Sequence, residues 1–110
     1  MKRVSKPWGH ELWFAENGKY AGKIIVIEKG HRLSLQYHKV KHETIYVLEG
    51  SLQLRLGSRT RFVRPGGAVE IKPRTVHRFG APKGRVTLVE VSSPELDDIV
   101  RLEDDYNRIR

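Results

Sequence analysis

The stretch that decides the fold runs from Gly30 to Gly50, GHRLSLQYHKVKHETIYVLEG. Gln36 and His38 are two apart, so on a strand they share a face. Glu43 opens an apolar run, Ile45, Val47 and Leu48, that reads as the return strand of a hairpin. Such a hairpin points an amide, an imidazole and a carboxylate into one pocket. Alternation from Arg32 to His38 puts Leu33, Leu35 and Tyr37 on one face. Arg32, Ser34, Gln36 and His38 take the other, which then lines a cavity and not a packed core.

Working outward, Leu52, Leu54 and Leu56 alternate with polar residues as a half-buried strand. Thr60 to Arg64 reads as a further strand, stopped by Pro65-Gly66-Gly67. Ala68 to Lys72 and Thr75 to Phe79 are short strands either side of Pro73, and Arg85 to Val91 is the last strong one. Upstream, Tyr20 to Glu28 carries Ile24-Ile25-Val26-Ile27, whose β-branched run predicts a strand buried on both faces. Asn17-Gly18 is a turn pair, and Glu11 to Phe14 a short strand. Residues 1–10 read as irregular around Lys6-Pro7-Trp8-Gly9, and the charged end leaves room for a short helix in 99–108. About nine or ten short strands at spacings of about 8–12 residues specify an all-β sandwich or barrel.

The chain has 110 residues, read as one domain over 1–110, with no cysteine and a net charge of +8. Absent cysteine excludes disulfides and thiolate chemistry. No apolar run reaches the ~18 residues of a membrane span, and no apolar h-region follows the basic Met1-Lys2-Arg3, so no signal peptide is expected; the expectation is a cytoplasmic protein. The charge attracts anions, either nucleic acid or a small phosphorylated substrate. No nucleic-acid-binding motif accompanies the spread of Lys and Arg, so the expectation is no nucleic acid and no membrane, with solvated strand faces as the simplest account.

His77 is the fourth candidate ligand. Two His, one carboxylate and one amide oxygen form a mixed N/O set suited to Zn, Mn, Fe, Ni or Co. Two His and one carboxylate also fit the facial triad of non-haem iron oxygenases. His10, His31 and His42 read as surface residues. Trp8, Trp13, Tyr20 and Phe62 read as core or lid aromatics. No nucleophile elbow or Gly-rich phosphate loop is present, so a phosphate site would be built from Lys and Arg side chains.

These residues resemble a cupin. The first cupin motif, G-x5-H-x-H-x3,4-E-x6-G, is matched at every spacing by Gly30, Gln36, His38, Glu43 and Gly50, with Gln in place of the first His. The second, G-x5-P-x-G-x2-H-x3-N, keeps its spacing from Gly66 to His77 but places Lys72 at the proline and Arg74 at the second glycine. LSLQYH at 33–38 resembles the LSLQxH of type II mannose-6-phosphate isomerases. Lys6-Pro7-Trp8-Gly9 resembles the [RK]PWG that opens their C-terminal domain. Asp97-Asp98-Ile99-Val100-Arg101, with Glu103, Asp104, Tyr106 and Arg108, resembles their DDIVRxEDxYGR tail.

The resemblance implies a cupin barrel, a jelly-roll-like double-stranded β-helix. It implies a divalent metal, Zn or else Mn, Co, Ni or Fe, held by Gln36, His38, Glu43 and His77. It implies interconversion of mannose 6-phosphate and fructose 6-phosphate through an enediolate, with a general base moving a proton between C1 and C2. The sequence does not identify that base; Glu11, Glu28 and Glu70 are carboxylates outside the ligand set. Lys72 and Arg78, beside His77, are the expected phosphate or sugar contacts, although strand parity turns both away from His77 unless Pro73 breaks it. A non-catalytic sugar-binding cupin and another metal-cupin enzyme, such as a dioxygenase, are the alternatives. A homodimer is expected, with Leu33, Leu35, Tyr46 and Leu48 either at its interface or packed within one chain.

Overall fold

The computed structural model of the chain describes residues 1–109. Its strands are β1 (Lys2–Lys6), β2 (Gly9–Glu16), β3 (Ala21–Ile27), β4 (Leu35–Tyr37), β5 (Glu43–Glu49) and β6 (Leu52–Leu56), then β7 (Arg59–Val63), β8 (Ala68–Ile71), β9 (His77–Gly80), β10 (Val86–Ser92) and β11 (Val100–Glu103). They form two antiparallel sheets, ordered β1-β2-β3-β10-β5-β8 and β11-β4-β9-β6-β7. Alternating inward residues from both sheets make the core, with Ile25, Ile45, Leu54, Phe79 and Leu88 all buried. No helix among the described residues is long and apolar enough to cross a membrane.

Several expectations change. β4 and β5 do not form a hairpin: β4 lies in one sheet and β5 in the other, so residues 38–42 carry the chain across the core. The strand expected over 32–38 shrinks to Leu35–Tyr37, with Arg32 making only an isolated bridge to Gly80. The break shifts parity, so Leu33 joins the core and shares a cavity wall with Gln36 and His38. Leu33 and Leu35 are buried within the chain, whereas Tyr46 and Leu48 are exposed. Within the run Ile24-Ile25-Val26-Ile27 on β3, only Ile25 and Ile27 are buried; Ile24 and Val26 lie half-covered on the outer face.

Residues 2–6, expected as irregular, form the edge strand β1. Its polar sequence KRVSK hides the strand, but edge strands tolerate charge because one side faces water. Pro7-Trp8 turns it back into β2, and Gly9 is required there: a Cβ would lie 1.9 Å from the carbonyl oxygen of Val26. The helix expected in 99–108 is instead β11, paired with β4 through Val100 and Tyr37. A helix of that length is marginal alone, and β4 supplies backbone partners. Trp8 is core, Trp13 is partly buried, and Tyr20 and Phe62 are exposed. The Asn17-Gly18 turn holds, with Asn17 Oδ1 accepting from the amides of Lys19 and Tyr20.

Candidate metal centre and its cavity

Gln36 lies directly opposite His77 across the β4–β9 pair, so the two share a face. His38 follows two residues after Gln36 on that side, and Glu43 enters from the facing sheet. Ligand atoms of His38, Glu43 and His77 all lie within 4.8 Å of one another. His77 Nε2 is 3.3 Å from Glu43 Oε1, and His38 Nε2 is 3.8 Å from Oε2. All three residues are buried.

The outward nitrogens of both imidazoles are committed. His38 Nδ1 contacts the carbonyl of Asp98 at 2.5 Å, and His77 Nδ1 contacts that of Thr75 at 2.8 Å. A carbonyl only accepts, so each Nδ1 carries the proton, and in a neutral ring Nε2 then presents a lone pair inward. Among the described residues, both Nε2 atoms and both Glu43 oxygens lack a hydrogen bond, Glu43 Oε2 having the Lys41 ammonium at 3.2 Å as an ion-pair partner. Buried polar atoms are rarely left so. Two inward lone pairs and a carboxylate, with carbonyls behind the rings, are the donor set a divalent cation takes. Gln36 is oriented by Ser34, whose hydroxyl donates to Oε1 at 2.6 Å; an amide oxygen keeps a second lone pair.

Burial opposes ionisation of Glu43, but His77 and Lys41 beside it hold its carboxyl well below the usual carboxylate range. Burial lowers His38, reinforced by Lys41 and His77 and opposed by Glu43 and the Asp98 carbonyl, which keeps the ring neutral and able to ligate. Lys41 Nζ lies 3.2 Å from Glu43 and 3.0 Å from Glu90, inside the fold. Burial and the neighbouring Glu43 push Glu90 up to about 7.

The cluster opens into a cavity of about 350 Å³ whose wall includes Gln36, His38, Lys41, Glu90 and Glu11. Glu11 Oε1 accepts from Trp13 Nε1 at 2.8 Å and sits 3.4 Å from Lys23 Nζ. Lys2, Lys6, Arg101 and Arg108 give the cavity a basic lining from β1 and the C-terminal segment. Burial lowers Lys6; Glu11 opposes this, while the charges of Lys23, Arg108 and Arg101 add to it. An anion bound among them relieves that repulsion.

Not every expected residue lines this cavity. Lys72 is exposed between β8 and β9. Arg78 opens on the other face of its sheet, into a separate pocket. Glu28 pairs with Arg85 and Glu70 with His42 at the surface. His31 is exposed against Tyr106, and His10 is half-buried on β2. Sequence reasoning passed over Lys41, Glu90 and the structural use of Asp98. Glu90 had a signal: it takes the third inward position after Val86 and Leu88, where an apolar residue is due.

Two antiparallel sheets closed over such a His/Glu/His cluster define a cupin, the double-stranded β-helix. The fold is that of KdgF from Halomonas sp., at a TM-score of 0.78 and 18% identity, covering 88% of this chain and 89% of that one. An RmlC-like cupin from Shewanella frigidimarina gives 0.79 and 18%, covering 87% and 86%.

Residues 1–104 match the model of the mannose-6-phosphate isomerase C-terminal family, and the chain belongs to that family. It is 34% identical over 110 residues to the alginate biosynthesis protein AlgA of Pseudomonas aeruginosa, covering 96% of this chain and 23% of that protein. Mannose-1-phosphate guanylyltransferase 2 of Escherichia coli O157:H7 is 30% identical over 110 residues, with coverage of 96% and 23%. The chain thus spans about a quarter of the length of these relatives, whose names describe the larger proteins.

Proposed function

We propose that the protein is a metal-dependent isomerase that interconverts mannose 6-phosphate and fructose 6-phosphate. The observation that carries this reading is the pair of imidazoles, each tied at Nδ1 to a carbonyl, aiming Nε2 at Glu43 in a basic cavity. Gln36, His38, Glu43 and His77 hold the cation. When bound, a divalent metal supplies Lewis acidity at the sugar carbonyl. The family relation supports mannose phosphates as the substrate class.

The chain's own residues do the rest. Lys6, Arg101 and Arg108, the last also forked onto Asp104 at 2.8 and 3.1 Å, receive the phosphate, whose charge offsets the repulsion the arginines exert on Lys6. Glu11 is the carboxylate that moves the proton between C1 and C2. It lies in the cavity wall outside the ligand set, with Oε1 oriented by Trp13 and Lys23. Glu90 is committed to Lys41 and shapes the charge behind Glu43.

The test is a coupled assay with mannose 6-phosphate, before and after chelation and with each of Zn, Mn, Co, Ni and Fe restored. Chelator-sensitive turnover is expected. No turnover in either direction with any metal overturns the isomerase; metal retained in such a protein leaves a non-catalytic sugar-binding cupin.

We also infer a homodimer through the outer face of the β1–β8 sheet. Phe14, Tyr46, Leu48 and Val91 are all more than two-fifths exposed there. Tyr46 adjoins Val89, and Val89 adjoins Ile24, which continues the apolar band across three strands. A second copy covering this band removes it from water.

A further inference from the structure

Three arginines face one another on the outer side of the second sheet. Arg55 of β6 lies directly opposite both Arg78 of β9 and Thr60 of β7. Cross-strand partners share a face. Leu54 and Phe79, one residue along each strand, are buried in the core and so point the other way. In the neighbouring row Gln53 lies opposite Gly80, which bridges to Arg32. These six residues line a pocket of about 220 Å³. None of them lines the metal cavity.

Like charges directly opposite destabilise a sheet, so this arrangement needs a countercharge. The protein supplies part of it. Arg32 donates to both oxygens of Asp105, at 2.7 and 3.0 Å. Arg78 Nε donates to the Leu33 carbonyl at 2.9 Å, while its terminal nitrogens reach Glu103 only at 3.4 and 3.5 Å. Arg55 Nε donates to the Gly57 carbonyl at 3.0 Å, and no carboxylate pairs with Arg55 among the described residues. Two carboxylates therefore face three guanidiniums. Burial lowers Arg78, and Arg32 and Arg55 lower it further against the pull of Asp105 and Glu103.

Guanidinium forks match phosphate oxygens, and the Gln53 amide and Thr60 hydroxyl add donors beside them. Gly80 forms the floor between Arg32 and Gln53, where a Cβ would come into van der Waals contact with both. We propose that this pocket, separate from the metal cavity, binds the phosphate group of a phosphorylated small molecule. One face of the adjacent Phe62 ring is taken by Lys83 Nζ at 4.1 Å, which disfavours the base stacking that single-stranded nucleic acid needs.

The test is titration of the full chain with inorganic pyrophosphate, read by amide chemical shifts. Saturable shifts are expected at Gln53, Arg55, Thr60 and Gly80. Arg55→Gln weakens them about tenfold, the loss of one charge-assisted contact, while shifts at the metal cavity stay. Thr60→Val, on the exposed edge strand, gives a smaller loss in a variant whose fold is undisturbed. Shifts confined to Lys6, Arg101 and Arg108 overturn the proposal, as does unchanged affinity in both variants. Tighter saturation of the same amides by a single-stranded RNA oligonucleotide overturns it in favour of nucleic acid.

Discussion

Asp98 clamps His38 from 60 positions away: its backbone carbonyl receives the Nδ1–H of the ring, and its carboxylate accepts from the amides of Lys39, Val40 and Lys41 at 2.7–2.9 Å. One residue of the C-terminal segment thus fixes which ring nitrogen of the candidate metal ligand His38 is protonated, and the path of the chain between the two sheets.

Those three amides overcome the penalty of burial and hold Asp98 down to about 2. A depressed carboxylate contributes stability above its unfolded pKa and loses it as pH falls through its folded one. Its contribution is therefore complete above pH ~4 and gone below pH ~2. Asp98→Ala is expected to remove about 1 kcal/mol, a value at the low end because the carboxylate is partly solvated. It is also expected to weaken metal binding about tenfold through the loosened His38. Urea unfolding between pH 2 and 7, with metal titration at pH 7, checks both.

Lys41 stands between Glu43 and Glu90, all three buried. Lys41→Met leaves two carboxylates facing each other without a cation, at a loss of about 3–5 kcal/mol in metal-free protein. Adding Glu90→Gln should recover part of that. Denaturation of the two single variants and the double variant gives the coupling; strict additivity would show that the three charges do not act together.

Glu11→Gln is expected to lower kcat about 10²–10⁴-fold with metal content unchanged. Solvent deuterium incorporation at C2 should fall in step. If Glu90→Gln removes turnover while keeping its metal and Glu11→Gln does not, the proton passes through Glu90.

Arg74 holds φ at 68°, the left-handed region, where the second cupin motif has glycine. Its amide donates to the His38 carbonyl at 2.6 Å, so the turn braces the backbone of the candidate metal cluster. Such a conformation costs a non-glycine residue about 1–2 kcal/mol, and glycine returns about 0.5–1 kcal/mol as unfolded-state entropy. Arg74→Gly is therefore expected to stabilise by up to about 1 kcal/mol, read as a higher urea midpoint at unchanged slope.

Val91→Lys places a charge in the apolar band around Tyr46. Sedimentation is expected to show a dimer for the natural chain and a monomer for the variant, with metal content the same in both. A natural chain that sediments as a monomer overturns the interface.

The sequence by itself determined the all-β class, most strand positions and the spacing of Gln36, His38, Glu43 and His77. Period-two alternation and turn chemistry are local, and they are written residue by residue. The separation of β4 from β5 was not legible, because a short connection serves a hairpin and a crossover between sheets equally well. Nor was the burial of Leu33 beside Gln36, since one irregular step after Arg32 reverses parity. Strand parity already turned Arg78 away from His77, but Asp98 under His38, Lys41 between two glutamates, and Arg55 opposite Arg78 exist only once distant strands pair. Buried charge is stable only beside its partner, and three-dimensional packing alone chooses that partner.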